Sequence, residues 1–527
     1  MRQEIIISIH KNEYLPDALK RQGYETLPSN CIINKPLSGI GATCGELVSA
    51  RNTLIIEPNI PAVKGKVANH KYVLGVHDGV RFEYISRYLQ QPGWKKVITT
   101  PEYYPVVKKI MNELAVNMFD TYFLLFDECE NAIFNMESHA AAEELMSDFF
   151  LFANRSVISS SAGLFTEDIR LKKYDFSLLR IQPEYEDRQP LRLITTNNIA
   201  ESVISAIGAL EGTVCLFCHS IDTIHSLVRD VPELNKGYIF CDEEPVMRQY
   251  DNRLIKKETG TTKLSQYNLF TLRYHAGVDI EASAPPHIII ITDMSGEKEP
   301  SVIDPQTETM QIAGRFRKGV KSITHISNIH PGMKYLTPRQ VSLWLQGAKK
   351  VYTGWVKKKG SASNDGISDL LQEAITKNRY VRFIDKDGNL NPHYVARFIE
   401  KERVKSLYTK EKALRDAYVA TGYFDVTHSR EVHIFSDEDR IHLHQKYTQE
   451  GRNHLLLARF EQLEVLRKVR STKAQERYQY LIDRLINTAS DRFLYDCYLK
   501  YGSDFIRNAS FREQYMRKEL HHIREKK

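Results

Sequence analysis

The chain has 527 residues, 42% of them hydrophobic and 26% charged, with a formal net charge of +7. That length exceeds what one hydrophobic core usually serves, so two or three domains are expected, in the composition of a soluble globular protein. No run approaches the roughly 20 apolar residues that span a bilayer, the N-terminus lacks the apolar stretch of a secretion signal, and seven scattered cysteines suit reduced thiols in a cytoplasm.

In chain order, short β-branched or aromatic runs alternate with helix-like stretches between residues 28 and 330, the pattern of parallel sheets wrapped by helices. The first predicted strands are 31–34, 53–57, 96–99, 123–126 and 156–159. A second set follows at 193–195, 213–217, 237–240, 268–271, 287–291 and 322–326. The two sets join near 180–192, where Gln-Pro-Glu-Tyr-Glu-Asp-Arg-Gln-Pro reads as a linker, and residues 357–366 mark a second boundary by composition. Beyond it strands become scarce, and Leu456, Phe460, Leu463 and Leu466 recur at helical spacing.

The charge excess is local. Residues 451–527 carry 17 Lys and Arg against 10 Asp and Glu, which accounts for the whole +7. Such a segment suits phosphate-backbone contact and equally suits solvated helices. Its aromatics, among them Tyr478, Tyr495, Tyr498, Phe505 and Tyr515, are read as core residues ahead of base-stacking ones. Cys215 and Cys218 form a CxxC inside a strand-like run, where alternation sends the sulfurs to opposite faces and argues against zinc.

Three stretches carry candidate chemistry. Pro36-Leu-Ser-Gly39-Ile-Gly41-Ala42-Thr43 follows a predicted strand and leads into a helix, the setting in which backbone N–H groups converge on phosphate oxygens. Alanine stands where the phosphate-neutralising lysine is expected, and Lys35, just N-terminal of the loop, is the candidate replacement. Asp127 and Glu128 end an apolar strand, at the edge where open α/β sheets bind ligands. The first carboxylate there suits magnesium and the second suits orienting water. Gln311, Gly314, Arg315 and Arg317 lie about 180 residues further on, where arginines suit a transferring phosphoryl group when a cleft closes.

The order of these elements, with Glu57-Pro58-Asn59, Thr99-Thr100-Pro101, Ser159-Ser160-Ser161, His219-Ser220 and Gly277-Val-Asp279 between them, resembles the motif series of superfamily 2 helicases and translocases. The resemblance implies an α/β fold with two tandem RecA-like parallel-sheet domains, residues 1–185 and 190–350, followed by a mainly helical basic accessory domain at 367–527. It implies ATP and Mg2+ as cofactors, with Gly39, Gly41, Ala42, Thr43, Gly277 and Asp279 at the nucleotide and Thr43 and Asp127 at the metal. Glu128, Gln311, Arg315 and Arg317 would serve hydrolysis, while Pro58, Thr100, Ser160, His219 and Thr271 would touch nucleic acid. The Gly-Arg-x-Arg spacing is similar to that of origin-binding-type members, and the Gly-Ile-Gly-Ala-Thr loop resembles one in predicted helicases of phages and mobile elements.

The expectation is therefore an ATP-driven motor on single-stranded or forked nucleic acid, DNA ahead of RNA, working in the cytoplasm with replication or recombination proteins. A nucleotide-gated binding scaffold without turnover is the rival, because Ala42 removes the ammonium that bridges the phosphates.

Overall fold

The computed structural model describes the chain except residues 1–2, 36–38, 130–138, 160–168, 186–187, 242–254, 257–262, 272–273, 276–277, 295–301, 362–364, 385–387, 438, 440–448 and 526–527. Eight strands of the first lobe are β1 (Glu4–Ile9), β2 (Cys31–Asn34), β3 (Thr53–Ile56), β4 (Leu74–Val76), β5 (Lys96–Thr99), β6 (Phe123–Phe126), β7 (Asn154–Ser159) and β8 (Ser177–Pro183). They form one sheet in the order β1-β8-β2-β7-β6-β3-β5-β4, with every pairing parallel. Parallel strands need covered faces, and both are covered. Leu54, Ile56, Leu124 and Phe126 join one apolar cluster, while their alternating neighbours Ile55, Phe123 and Leu125 join the other.

The second lobe repeats the plan. Its strands are β9 (Gln189–Thr196), β10 (Val214–Phe217), β11 (Tyr238–Phe240), β12 (Ile255–Lys256), β13 (Tyr267–Phe270), β14 (His287–Thr292), β15 (Ser322–Ser327) and β16 (Phe424–Glu431). The order is β12-β11-β13-β10-β14-β15-β9-β16, again all parallel. Cys215 and Cys218 are buried in clusters on opposite faces of this sheet, as alternation requires. The two tandem RecA-like sheets meet through a short link between β8 and β9.

The accessory boundary expected at 367 cuts through the second lobe. Tyr408, Leu414, Tyr418 and Phe424 lie in that lobe's core, and β16 extends its sheet beside β9. The Tyr418 hydroxyl is hydrogen-bonded to His325 Nδ1 at 2.7 Å, which ties the helix Glu411–Val419 to β15. Helices from Gln449–Lys468 to Glu513–Glu525 then form a separate apolar cluster around Leu456, Phe460, Leu463, Ile482 and Leu494. Tyr478 and Tyr495 are buried there, and Tyr498 and Phe505 pack against the cluster, so most of these aromatics are core. No helix of the described residues is long and apolar enough to cross a membrane.

Part of the basic excess is used inside the molecule. Arg477 and Arg484 both pair with the buried Glu201 of the second lobe, the latter at 3.2 Å, and Arg452 pairs with the buried Asp491. These cations anchor the helical region to the second lobe and to itself.

Candidate functional site

The phosphate-type loop leaves β2 at Asn34, and the Lys35 amide donates to the Ser159 carbonyl at 2.8 Å. Gly39 (φ +77°) and Gly41 (φ +80°) both lie in the left-handed region, which a side chain would strain. Gly41 precedes the helix Ala42–Leu47, and Ala42 and Thr43 are buried. The loop is braced from outside by residues 14 and 15. The Leu15 amide donates to the Ile40 carbonyl at 2.7 Å, and a Cβ on Gly41 would stand 3.1 Å from Tyr14 Cδ1.

Asp127 follows β6 and Glu57 follows β3, and because Ile56 pairs with Phe126 the two carboxylates emerge side by side. Two buried acids so placed need a cation, and Lys66 supplies it from the helix Ile60–Asn69. Its Nζ lies 3.0 Å from Asp127 Oδ2 and also pairs with Glu57. The Thr43 hydroxyl donates to the same Asp127 oxygen, and the Glu128 amide donates to Asp127 Oδ1 at 3.0 Å.

Burial alone would push the Asp127 carboxyl up. The charges of Lys66 and Lys35 and the Thr43 hydrogen bond overcome that and hold it well below the usual carboxylate range. Glu57 goes the other way: burial pushes it up to about 8, because Lys66 divides its charge between two acids and Asp127 repels a second anion. Burial disfavours the Lys66 ammonium, but Glu57 and then Asp127 outweigh it and keep it above its ordinary range. Sequence reasoning offers Lys35 and misses Lys66. Lys66 has no local spacing that pairs it with Asp127, and the signal is the adjacency of the two acidic strand ends.

The second lobe faces this cluster with its arginines. Arg315 follows the helix Glu308–Ala313, donates from Nε to the Gln311 carbonyl at 2.8 Å, and sets Nη2 3.4 Å from Glu128 Oε1. Gln311, Arg315 and Glu128 are all buried. Glu128 has φ +44°, a conformation costly for a side chain and common at functional turns. Its Oε2 is buried without a hydrogen-bond partner among the described residues. Arg317 pairs with Asp279 at 2.7 Å, and a Cβ on Gly39 would collide with Arg317 Nη1. Residues 35, 39, 41–43, 127 and 128 of one lobe and 279, 315 and 317 of the other thus meet at a single cleft.

The expected nucleic-acid residues are not gathered on a surface. Pro58, Thr100 and Thr271 are buried, and the Thr271 hydroxyl donates to the Phe240 carbonyl at 3.3 Å. His219 is largely buried and turned toward Glu308, with Nε2 2.7 Å from Oε1. Ser160 and Gly277 lie outside the described residues.

No protein-family model and no curated protein matches the chain. Among solved structures it is similar to Dbp5 of S. cerevisiae bound to RNA and ADP BeF3, with 13% identity over 73% of this chain and 90% of that one and a TM-score of 0.38. It is also similar to a DEAD box protein from the hyperthermophile Methanococcus jannaschii, with 14% identity over 59% of this chain and 84% of that one and a TM-score of 0.30. Similarity of that order bears on no activity.

Proposed function

We propose that the chain is an ATP-driven motor of the superfamily 2 helicase and translocase type, acting on single-stranded or forked nucleic acid. The observation that carries this reading is Arg315 of the second lobe reaching Glu128 of the first at 3.4 Å across the cleft. An arginine so placed stabilises charge on a transferring phosphoryl group only while the lobes are together, which couples hydrolysis to lobe movement.

The residues present fit a magnesium nucleotide. The Thr43 hydroxyl and Asp127 carboxylate are a hard oxygen set, and the unpartnered Glu128 Oε2 is an acceptor available to an attacking water. Magnesium, when bound, supplies charge neutralisation at the phosphates. Lys66 contributes the cation that Ala42 cannot, from a helix instead of from the loop. Arg317, beside Gly39, brings a second guanidinium to the loop from the other lobe.

A nucleic-acid partner is supported by a cavity of about 730 Å³ in the helical segment after β15. Trp344, Phe383 and Phe398 line it together with Arg379, Arg382 and Arg397; among the described residues the lining has no carboxylate of its own, and Glu402 pairs with the lining Lys405 at 2.9 Å. Aromatic faces beside cations suit bases and phosphates of a single strand. The scaffold reading retains one observation in its favour, the methyl of Ala42 in the loop.

One assay separates them. ATP turnover is measured with and without single-stranded DNA and single-stranded RNA, for the natural chain and for Glu128→Gln. The motor reading expects strand-stimulated turnover that Glu128→Gln abolishes while ATP binding persists. Absence of turnover with every strand rejects it in favour of the scaffold, and the stimulating strand identifies DNA or RNA as the track.

A further inference from the structure

A second cluster of ligating side chains lies in the second lobe, outside the cleft residues described above. His219 follows β10 and His275 follows β13, and these strands pair directly, with Phe217 opposite Phe270. Both histidines therefore emerge at the same sheet edge, with ring centroids 5.0 Å apart. Glu308, the first residue of the helix Glu308–Ala313, reaches the same point, and the candidate ligand atoms of the three residues lie within 4.8 Å of one another.

His275 is 1% exposed, and neither ring nitrogen makes a hydrogen bond of good geometry to a described residue, the Phe270 backbone being a weak polar neighbour. Leaving a buried polar group poorly satisfied is unfavourable, so a buried imidazole facing another imidazole and a carboxylate calls for a ligand. The carboxylate is itself oriented: Glu308 Oε2 accepts from the Asp304 amide at 2.7 Å, which turns Oε1 toward His219. Such an outer hydrogen bond is the usual support of a metal-ligating carboxylate.

We infer that His219, His275 and Glu308 form a site for a single transition-metal ion, zinc being the one their chemistry fits best. Two imidazoles and one carboxylate match zinc and its borderline neighbours, whereas magnesium and calcium take oxygen sets. Ligands about 2.0–2.2 Å from zinc stand roughly 3.4 Å apart in a tetrahedron, so small side-chain rotations close the set and leave a fourth position. The ion would join the ends of β10 and β13 to the helix that carries Gln311 and leads into Arg315. It would thus brace the arginine-bearing helix, and it stands independently of the ATP-motor reading.

The test uses the full chain, stripped with chelator, dialysed and titrated with Co2+ as a spectroscopic probe, followed by Zn2+ in competition with a chromophoric chelator. Expected are one ion per chain, the visible absorption of a low-symmetry cobalt site, and at least a 100-fold weaker affinity in His275→Gln and in Glu308→Gln. Circular dichroism checks that each variant is folded; should His275→Gln fail that check, Glu308→Gln decides. Absence of binding by the natural chain, or tight binding that a folded variant retains, overturns the site and assigns the metal to surface histidines.

Discussion

Arg315 Nη2 stands 3.4 Å from Glu128 Oε1, and each residue comes from a different lobe. Their side chains are only 4% and 11% exposed, so water screens the pair weakly and the lobes are held in register by it. Removing either partner leaves the other charge buried, and the consequence differs by residue. Arg315→Ala is expected to lower kcat for ATP about a thousandfold or more, the scale of an arginine acting on a phosphoryl group, with nucleotide affinity changed far less. Steady-state kinetics with a fluorescent-nucleotide binding assay checks this. A variant that turns over normally would disconnect the arginine from the chemistry.

Lys66 is expected to carry the role that the loop lysine fills elsewhere. Lys66→Ala should reduce turnover by about 100-fold or more, the range seen when one charge-stabilising donor is removed. Lys35→Ala should have a smaller effect, since Lys66 is the stronger influence on Asp127. The decisive comparison is Lys66→Ala with Ala42→Lys. Returning an ammonium to the loop should recover much of the missing rate, and no recovery would assign Lys66 to the pairing of Glu57 and Asp127 alone.

Gly39 and Arg317 are expected to be coupled. Gly39→Ala strains a residue at φ +77° by about 1–2 kcal/mol and drives the Arg317 guanidinium away from the loop. Turnover should fall at least tenfold. In an Arg317→Ala background the same substitution should cost turnover much less, a non-additivity that a double-mutant cycle on kcat reads directly.

Stability should fall on acidification through a buried histidine of the second lobe. His325 is fully buried between the Tyr418 hydroxyl and the Thr292 hydroxyl, and burial lowers its pKa from 6.5 to about 3. Between those values the unfolded chain binds the proton and the folded chain does not, so stability rises with pH across that window. Its contribution is complete above 6.5 and disappears toward 3, with a slope near 1.4 kcal/mol per pH unit. His325→Gln should flatten the acid-unfolding curve of the second lobe over this range, followed by near-UV circular dichroism. Equal slopes for both chains would contradict it.

The cavity at Trp344 should contribute to strand binding. Arg379 and Arg382 are exposed at its rim. Replacing both with alanine should weaken single-strand affinity and reduce the slope of log K against log salt by about 0.7 for each phosphate no longer neutralised. An unchanged slope would place the strand elsewhere.

Much of the architecture is legible in local sequence. The interior strands β2, β3, β5, β6, β10 and β14 are short continuous apolar runs, because both faces of a parallel sheet are buried, and each stands where its run lies. The strands that the runs do not reveal at the sheet margins, β1, β4, β12 and β16, have only one neighbour apiece. Part exposure breaks the apolar pattern in the alternating Phe424–Glu431 and, in β8, at Arg180 and Gln182, whereas β1 carries the apolar run Ile5-Ile6-Ile7, which lies outside the predicted strand sets. Asp127, Glu128, Arg315 and Arg317 are readable for the same local reason, since each lies just past an apolar strand or helix that fixes its position.

What no local pattern carries is proximity between distant segments. Lys66 matters because β3 and β6 are neighbours, which sets Glu57 beside Asp127 and creates a buried negative charge that a nearby helix neutralises. His275 matters because β10 and β13 are neighbours, which sets it facing His219. Periodicity records which side chains are buried, whereas strand order and lobe docking decide which buried charges meet, and charges in a water-poor cleft act on each other through distance and not through sequence separation.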